Sequence, residues 1–231
     1  MIFSTIFAIL ACSKKINQSS LKPPKVKLVA AVADTSRIEQ GIDAVPTLDA
    51  IRIEWYASED ERVKGYEIYR WRENIGINFI KLATVMESDT AFEDLIPNTN
   101  TTYYYYVLAV NDEDLKSESS DTVKYMLLQK ATGLRPVGEI ENTKPLFTWN
   151  DANQANEYII RVQESTTGAI VWVSVVQADY GNMTQSIRYN ADQKAWPSEL
   201  QTGKEYQWRI DVRGQNLSSG SESKWVGIKI R

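Results

Sequence analysis

The chain has 231 residues, of which 43% are apolar and 24% charged, with a net charge of −4. These values are ordinary for folded material and leave room for one large domain or two of about 100 residues each. There is no histidine and a single cysteine, Cys12, which excludes a Ser-His-Asp triad, an intrachain disulfide and a four-thiolate metal site. No long Lys/Arg run marks a nucleic-acid partner, and we expect no cofactor.

The N-terminus is an uncharged apolar stretch over residues 1–11. It is too short to span a bilayer, which takes about 20 residues, and it resembles the hydrophobic core of a signal peptide. Residues 9–12, Ile-Leu-Ala-Cys, then resemble the lipobox of bacterial lipoproteins. That resemblance implies cleavage before Cys12 and lipidation of its thiol. The alternative is an ordinary buried cysteine behind a hydrophobic N-terminus.

A polar segment follows the cysteine and is rich in Ser, Asn, Gln and Lys, with prolines at 23 and 24. This composition predicts a flexible tether over residues 12–33. The basic stretch at 22–27 is suited to lie against anionic lipid. The sequence therefore predicts a lipid-anchored protein on a membrane of the cell envelope, facing the periplasm or the exterior.

The rest of the chain alternates apolar and polar residues in short runs separated by Gly, Pro, Asn and Asp. That pattern is typical of β-strands. The runs recur in the same order in both halves, and Trp55 and Trp149 lie 94 positions apart. This spacing is about the length of one seven-stranded sandwich.

Both halves resemble fibronectin type III domains. In the first half, Trp55 closes strand B and a Gly65-Tyr66-x-Ile68 pattern opens strand C. In the second half, a turn from Leu200 to Tyr206 leads into strand F. The resemblance implies an all-β chain of two consecutive immunoglobulin-like sandwiches, which we place at residues 34–129 and 131–231.

Alternation also predicts which side chains fill the cores. Tyr103 and Tyr206 should form tyrosine corners, in which the hydroxyl bonds the backbone a few residues upstream. The inward set is predicted to be Trp55, Tyr66, Ile68, Tyr103, Tyr105 and Val107 in the first sandwich, and Trp149, Tyr158, Ile160, Tyr206, Trp208 and Ile210 in the second.

The same alternation directs a set of aromatic residues outward in the first sandwich: Tyr69, Trp71, Tyr104 and Tyr106, beside Leu108. An exposed aromatic patch of this kind marks a contact surface for a protein or a glycan. The alternative is cross-strand pairing that only stabilises the sheet.

Two acidic loops are predicted at one pole of the first sandwich, and they hold Glu59, Asp60, Glu61, Asp112, Glu113 and Asp114. Six converging carboxylates would bind Ca²⁺ weakly, although such runs are more often solvated loops. A glycosidase would need two carboxylates across a cleft, which the pole of a sandwich does not offer.

In the second sandwich the alternation predicts that Arg209, Arg213 and Trp225 point outward on neighbouring strands. We expect one guanidinium to lie over the indole ring. The arrangement loosely resembles the tryptophan–arginine ladder of cytokine-receptor fibronectin domains, and it is either structural or part of a binding face.

These features together predict a membrane-tethered, non-catalytic binding or spacer protein of the bacterial cell envelope. The alternative is an accessory glycan-binding module of a larger carbohydrate-handling or secretion assembly. The absence of histidine and of a cysteine beyond the anchor disfavours an enzyme.

Overall fold

A computed structural model describes residues 21–76, 78–216 and 218–231. Over these ranges the chain forms sixteen strands and no helix, and it therefore has no helix there that would cross a membrane. The strands build two consecutive β-sandwiches, as the sequence predicts. The predicted signal peptide and Cys12 lie outside the described residues.

The first sandwich contains seven strands. Its smaller sheet has the order β1-β2-β5, and its larger sheet the order β4-β3-β6-β7, which is fibronectin type III-like. The strands are β1 (Asp43–Ala44), β2 (Ile51–Glu54), β3 (Val63–Arg72), β4 (Ile80–Met86), β5 (Ala91–Asp94), β6 (Thr102–Asn111) and β7 (Val123–Leu127).

The second sandwich contains nine strands. Its smaller sheet has the order β8-β10-β13; in the larger, β12, β11 and β14 lie side by side, β15 and β16 both pair with β14, and β9 pairs with β16. The strands are β8 (Thr132–Arg135), β9 (Gly138–Ile140), β10 (Leu146–Asn150), β11 (Glu157–Glu164), β12 (Ile170–Gln177), β13 (Thr184–Arg188), β14 (Glu205–Arg213), β15 (Ser219–Glu222) and β16 (Val226–Ile230).

The cores contain the side chains that alternation predicts, because all twelve of the predicted inward residues are buried. Both tyrosine corners are also present. The Tyr103 hydroxyl accepts a hydrogen bond from the backbone N–H of Asn98 (3.0 Å), and the Tyr206 hydroxyl accepts one from that of Gln201 (3.1 Å). Each corner thus fixes the entry into the long central strand of its sandwich.

The segment before β1 belongs to the first sandwich, which corrects the predicted extent of the tether. Val26 is buried and packs in the core with Trp55. The N–H of Tyr56 donates to the carbonyl of Lys27 (3.0 Å), and the N–H of Val29 donates to that of Glu54 (3.0 Å). Backbone pairing and apolar burial hold this segment in place, so a flexible tether up to residue 33 is wrong.

The larger sheets of the two sandwiches join into one ten-stranded sheet through the parallel pair β7–β15. In this pair Leu127 lies opposite Gly220 and Met126 opposite Ser219. Leu127 faces the first core, whereas Met126 packs against the second. Because paired residues point to the same side of a sheet, the inner face of the first sandwich continues as the outer face of the second.

Candidate functional site

The four predicted outward aromatics of the first sandwich lie together on the outer face of β3 and β6. Tyr69 pairs with Tyr106 and Trp71 with Tyr104 across the two strands. The Tyr69 and Tyr106 ring centroids are 4.9 Å apart at 13°, and those of Trp71 and Tyr104 are 4.7 Å apart at 33°. All four rings are half-buried. We call these residues the aromatic face.

Phe79 joins the aromatic face, although the sequence pattern did not single it out. Its ring centroid is 4.7 Å from that of Tyr106 and 6.2 Å from that of Trp71. Phe79 precedes β4 in a connection without alternation, which explains why periodicity missed it. The indole N–H of Trp71 donates to the carbonyl of Gly76 (2.7 Å), and this bond fixes the tryptophan against the same connection.

The buried carboxylate of Glu67 lies at one end of the aromatic face. Glu67 accepts hydrogen bonds from Lys116 Nζ (2.7 Å), the Tyr69 hydroxyl (2.8 Å) and Lys81 Nζ (3.1 Å). Burial raises the pKa of Glu67, but these three donors outweigh burial and lower it. The carboxylate is therefore charged, and its hydrogen bond orients the Tyr69 ring at this end of the aromatic face.

The acidic loops of the first sandwich do not bring three carboxylates together among the described residues. Among the described residues, the only three carboxylates with oxygens within 4.8 Å of one another are Glu39, Asp211 and Glu222. In the loops, Arg62 pairs with Asp60 (2.7 Å) and its hydrogen bonds lower the pKa of that carboxyl. Lys64 pairs with Asp114 (2.5 Å). These residues lie in charged loops together with Glu59, Glu61, Asp112 and Glu113.

Arg209 and Trp225 lie against each other, with the Arg209 Cζ 4.8 Å from the Trp225 ring centroid. The expectation that Arg209 lies on an open surface is wrong, because only 2% of its side chain is exposed. Arg213 pairs with Glu157 instead of the indole. The outer face of the second sandwich is covered here by a segment from the first.

That covering segment is residues 34–39, which we call the clasp. Arg161 donates to the backbone carbonyls of Ser36 (2.7 Å) and Asp34, and its Nε lies 2.9 Å from a Glu39 carboxylate oxygen. Arg209 also pairs with Glu39. Two arginines of the second sandwich therefore hold a segment that precedes β1 of the first.

Two buried acids of the second sandwich complete this cluster. Asp211 lies 2.6 Å from Arg161 Nε and 2.7 Å from Arg209 Nε, and Glu222 lies 2.6 Å from Arg209. Burial lowers the pKa of Arg209, but Asp211, Glu222 and Glu39 outweigh it and raise the value. Because guanidinium groups already bind these oxygens, the carboxylates do not fit a metal site.

One signal in the sequence points to this cluster. Arg161 and Arg209 each stand between buried apolar residues in the middle of a strand, and they lie directly opposite each other across β11 and β14. Like charges facing each other across a sheet are unfavourable unless acids compensate them. The strand pairing had to be known before the two arginines could be placed together.

A groove of about 360 Å³ opens beside the clasp and is lined by several carboxylates. Two of these, Glu54 and Glu93, share Arg52, whose Nε is 2.8 Å from Glu54 and whose Nη1 is 3.3 Å from Glu93. The hydrogen bond to Glu54 raises the pKa of Arg52. A catalytic acid needs a carboxyl free to meet a substrate, and ion pairs already bind both of these.

No protein-family model and no curated protein matches the chain. Among solved structures, it is similar to the FN1–FN3 domains of chicken CNTN1, with 14% identity over 91% of this chain and 68% of that one, at a TM-score of 0.38. It is also similar to a beta-1,2-glucanase from Parabacteroides distasonis, with 24% identity over 47% of this chain and 13% of that one, at a TM-score of 0.34. At these identities and TM-scores, neither similarity indicates the function of the chain.

Proposed function

We propose that the chain is a membrane-tethered, non-catalytic binding or spacer protein of the bacterial cell envelope. The observation that carries the binding role is the aromatic face, where Phe79 and four predicted rings meet on the outer side of β3 and β6. Half-exposed aromatic clusters are enriched where proteins contact partners. The two-sandwich fold fits such a role without requiring catalysis.

The ring geometry favours a protein partner over a glycan. Tyr69 and Tyr106 are stacked at 4.9 Å, so one face of each ring lies against the other ring. Trp71 and Tyr104 share their faces in a similar way. Stacking on a sugar needs an open ring face, whereas ring edges with the nearby hydroxyls and lysines suit the mixed surface of a protein.

The membrane tether rests on the sequence of the N-terminus. Two or more acyl chains on Cys12 would anchor the chain stably, because each buried methylene contributes about 0.8 kcal/mol. The Cys12→Ser variant should move from the membrane fraction to the soluble fraction. Retention of the variant in membranes, with no acyl chain on the parent by mass spectrometry, would contradict this part of the proposal.

Photo-crosslinking in producing cells tests the binding role. A benzophenone amino acid replaces Tyr104 on the aromatic face, and the matched control replaces Tyr180, which is 75% exposed in the second sandwich. We expect a discrete protein adduct from position 104 that disappears in the Trp71→Ala background. No adduct from 104, or the same adduct from 180, counts against the aromatic face, and retention on a glycan array counts against a protein partner.

A further inference from the structure

The junction between the sandwiches encloses more acidic than basic groups. A cavity of about 10 Å³ lies there, and it has room for about one water molecule at most. The carboxylates that line it come from both sandwiches. They are Asp34, Glu39, Asp43, Asp211 and Glu222.

The positive groups around this cavity are fewer and already bound. Arg161 and Arg209 hold Glu39 and Asp211, as described above. Arg213 pairs with Glu157. The Lys130 ammonium donates to the backbone carbonyls of Val45 (2.6 Å) and Glu222 (2.7 Å) rather than to a carboxylate of the cavity.

Among the described residues no ion pair reaches the carboxylate of Asp43, whereas Asp34 is at least attracted by Arg213 and Arg161. The Asp43 Oδ1 accepts hydrogen bonds from the Tyr125 hydroxyl (2.9 Å) and the N–H of Ala44 (2.8 Å). Burial, together with the charges of Asp211 and Asp34, raises the pKa of Asp43 to about 7 despite these two donors. Burial also raises the pKa of Glu222, against the attraction of Arg209.

We propose that this junction is a pH-dependent latch that holds the two sandwiches together below neutral pH and loosens as the pH rises, with Asp43 as the titrating group. In the closed junction the neutral carboxyl adds no charge to the cavity. Once ionised, it adds a negative charge beside Asp34 and Asp211, which line the same cavity. The latch would make the two-sandwich body rigid in mildly acid surroundings and more mobile in alkaline ones.

The sign of the effect follows from linkage. The closed junction binds the Asp43 proton more tightly than an open, hydrated junction, in which the carboxyl has its ordinary pKa. The stabilisation of the closed junction by the Asp43 proton therefore falls as the pH rises from about 4, and it is lost completely above about 7. Between pH 6 and pH 8 the equilibrium constant for opening should rise about tenfold.

Hydrogen exchange of the full chain measures this opening. The N–H groups of Met126 and Leu128 donate to Ser218 and Gly220 across the junction (both 2.9 Å). After correction for intrinsic rates, their protection should fall about tenfold between pH 6 and pH 8. The amide of Ala109, bonded to Ser117 inside the first sandwich, should keep its protection.

Three variants make the test specific. Asp43→Asn keeps the acceptor for the Tyr125 hydroxyl but cannot ionise. The fall in protection of Met126 and Leu128 between pH 6 and pH 8 should therefore shrink to less than about twofold. Tyr125→Phe removes a donor that lowers the pKa of Asp43, so the midpoint should move to higher pH, and this variant serves if Asp43→Asn does not fold. Asp112→Asn, in a distant loop, should behave as the parent.

Unchanged protection of the Met126 and Leu128 amides between pH 6 and pH 8 would overturn the latch, as would an equal fall in their protection in Asp43→Asn. A midpoint pH in Tyr125→Phe that stays the same or moves down would also contradict it. An equal loss of protection at Ala109 would show general unfolding instead of opening at the junction.

Discussion

Arg209 stands between Trp225, whose ring centroid is 4.8 Å from its Cζ, and Asp211, whose carboxylate is 2.7 Å from its Nε. The guanidinium is thus covered by an aromatic ring and bound to buried acids at the same time. Loss of the aromatic ring and loss of the guanidinium therefore have different consequences for the buried acids. Without the ring, the cation keeps its acids, whereas without the cation Glu222 stays buried with no guanidinium partner, and Asp211 and Glu39 keep only Arg161.

The first prediction compares the two truncations. Arg209→Ala should lower the free energy of unfolding by about 3–5 kcal/mol, because it leaves the buried Glu222 without its guanidinium partner. Loss of the cation–π contact in Trp225→Ala should cost only about 0.5–1 kcal/mol, apart from the loss of apolar packing. Urea denaturation monitored by tryptophan fluorescence measures both, with Lys124→Ala, at an exposed residue of β7, as control. Equal costs would mean that the acids are not held as described.

The second prediction concerns a buried hydrogen bond in the first sandwich. The Tyr105 hydroxyl donates to Asp94 (2.8 Å), which also binds Arg70 (2.7 Å) and is only 1% exposed. Tyr105→Phe should therefore cost about 1–2 kcal/mol of unfolding free energy. Tyr104→Phe, one residue away on the outer face, should change it by less than about 0.5 kcal/mol. If Tyr105→Phe leaves the free energy of unfolding unchanged, this hydrogen bond contributes nothing to stability.

The third prediction concerns glycine at the sheet junction. A Cβ on Gly220 would lie 2.7 Å from the Val212 carbonyl oxygen and 2.8 Å from the Tyr125 hydroxyl. Gly220→Ala should destabilise the chain by about 1–3 kcal/mol through overpacking. A Cβ on Gly227 meets no atom within 4 Å among the described residues, so Gly227→Ala is the matched control. Indistinguishable melting temperatures for the two variants would refute the close approach of β15.

The fourth prediction tests whether the segment before β1 is part of the sandwich. Val26→Ala removes two buried carbons and should cost about 1.5 kcal/mol. Lys25→Ala breaks an exposed ion pair with Asp121 and should cost less than about 1 kcal/mol. Chemical denaturation of the full chain measures both. No effect of Val26→Ala would restore the interpretation of this segment as a free tether.

Alternation was sufficient to predict the two cores. Trp55 and Trp149 occupy corresponding positions and are both buried, as the strand pattern requires. The outward direction of Tyr69 and Tyr106 follows from the same period of two, and their ring stacking follows from their register. Each of these features depends on residues near one another within one sandwich.

The junction could not be predicted in this way. Period-two alternation shows that Arg161 and Arg209 leave the core, but it does not distinguish an open surface from one covered by another domain. The clasp has no strand pattern of its own, and its contacts with Arg161 span about 125 positions. Only the tertiary arrangement reveals that these charges are buried.

The pairing of β7 with β15 makes the two sides of the ten-stranded sheet different from each other. Since the inner face of one sandwich continues as the outer face of the other, the two smaller sheets cover opposite sides of the ten-stranded sheet. The aromatic face therefore shares its side with the smaller sheet of the second sandwich, while the clasp occupies the reverse side. A partner bound to the aromatic face would therefore approach the side on which the smaller sheet of the second sandwich also lies.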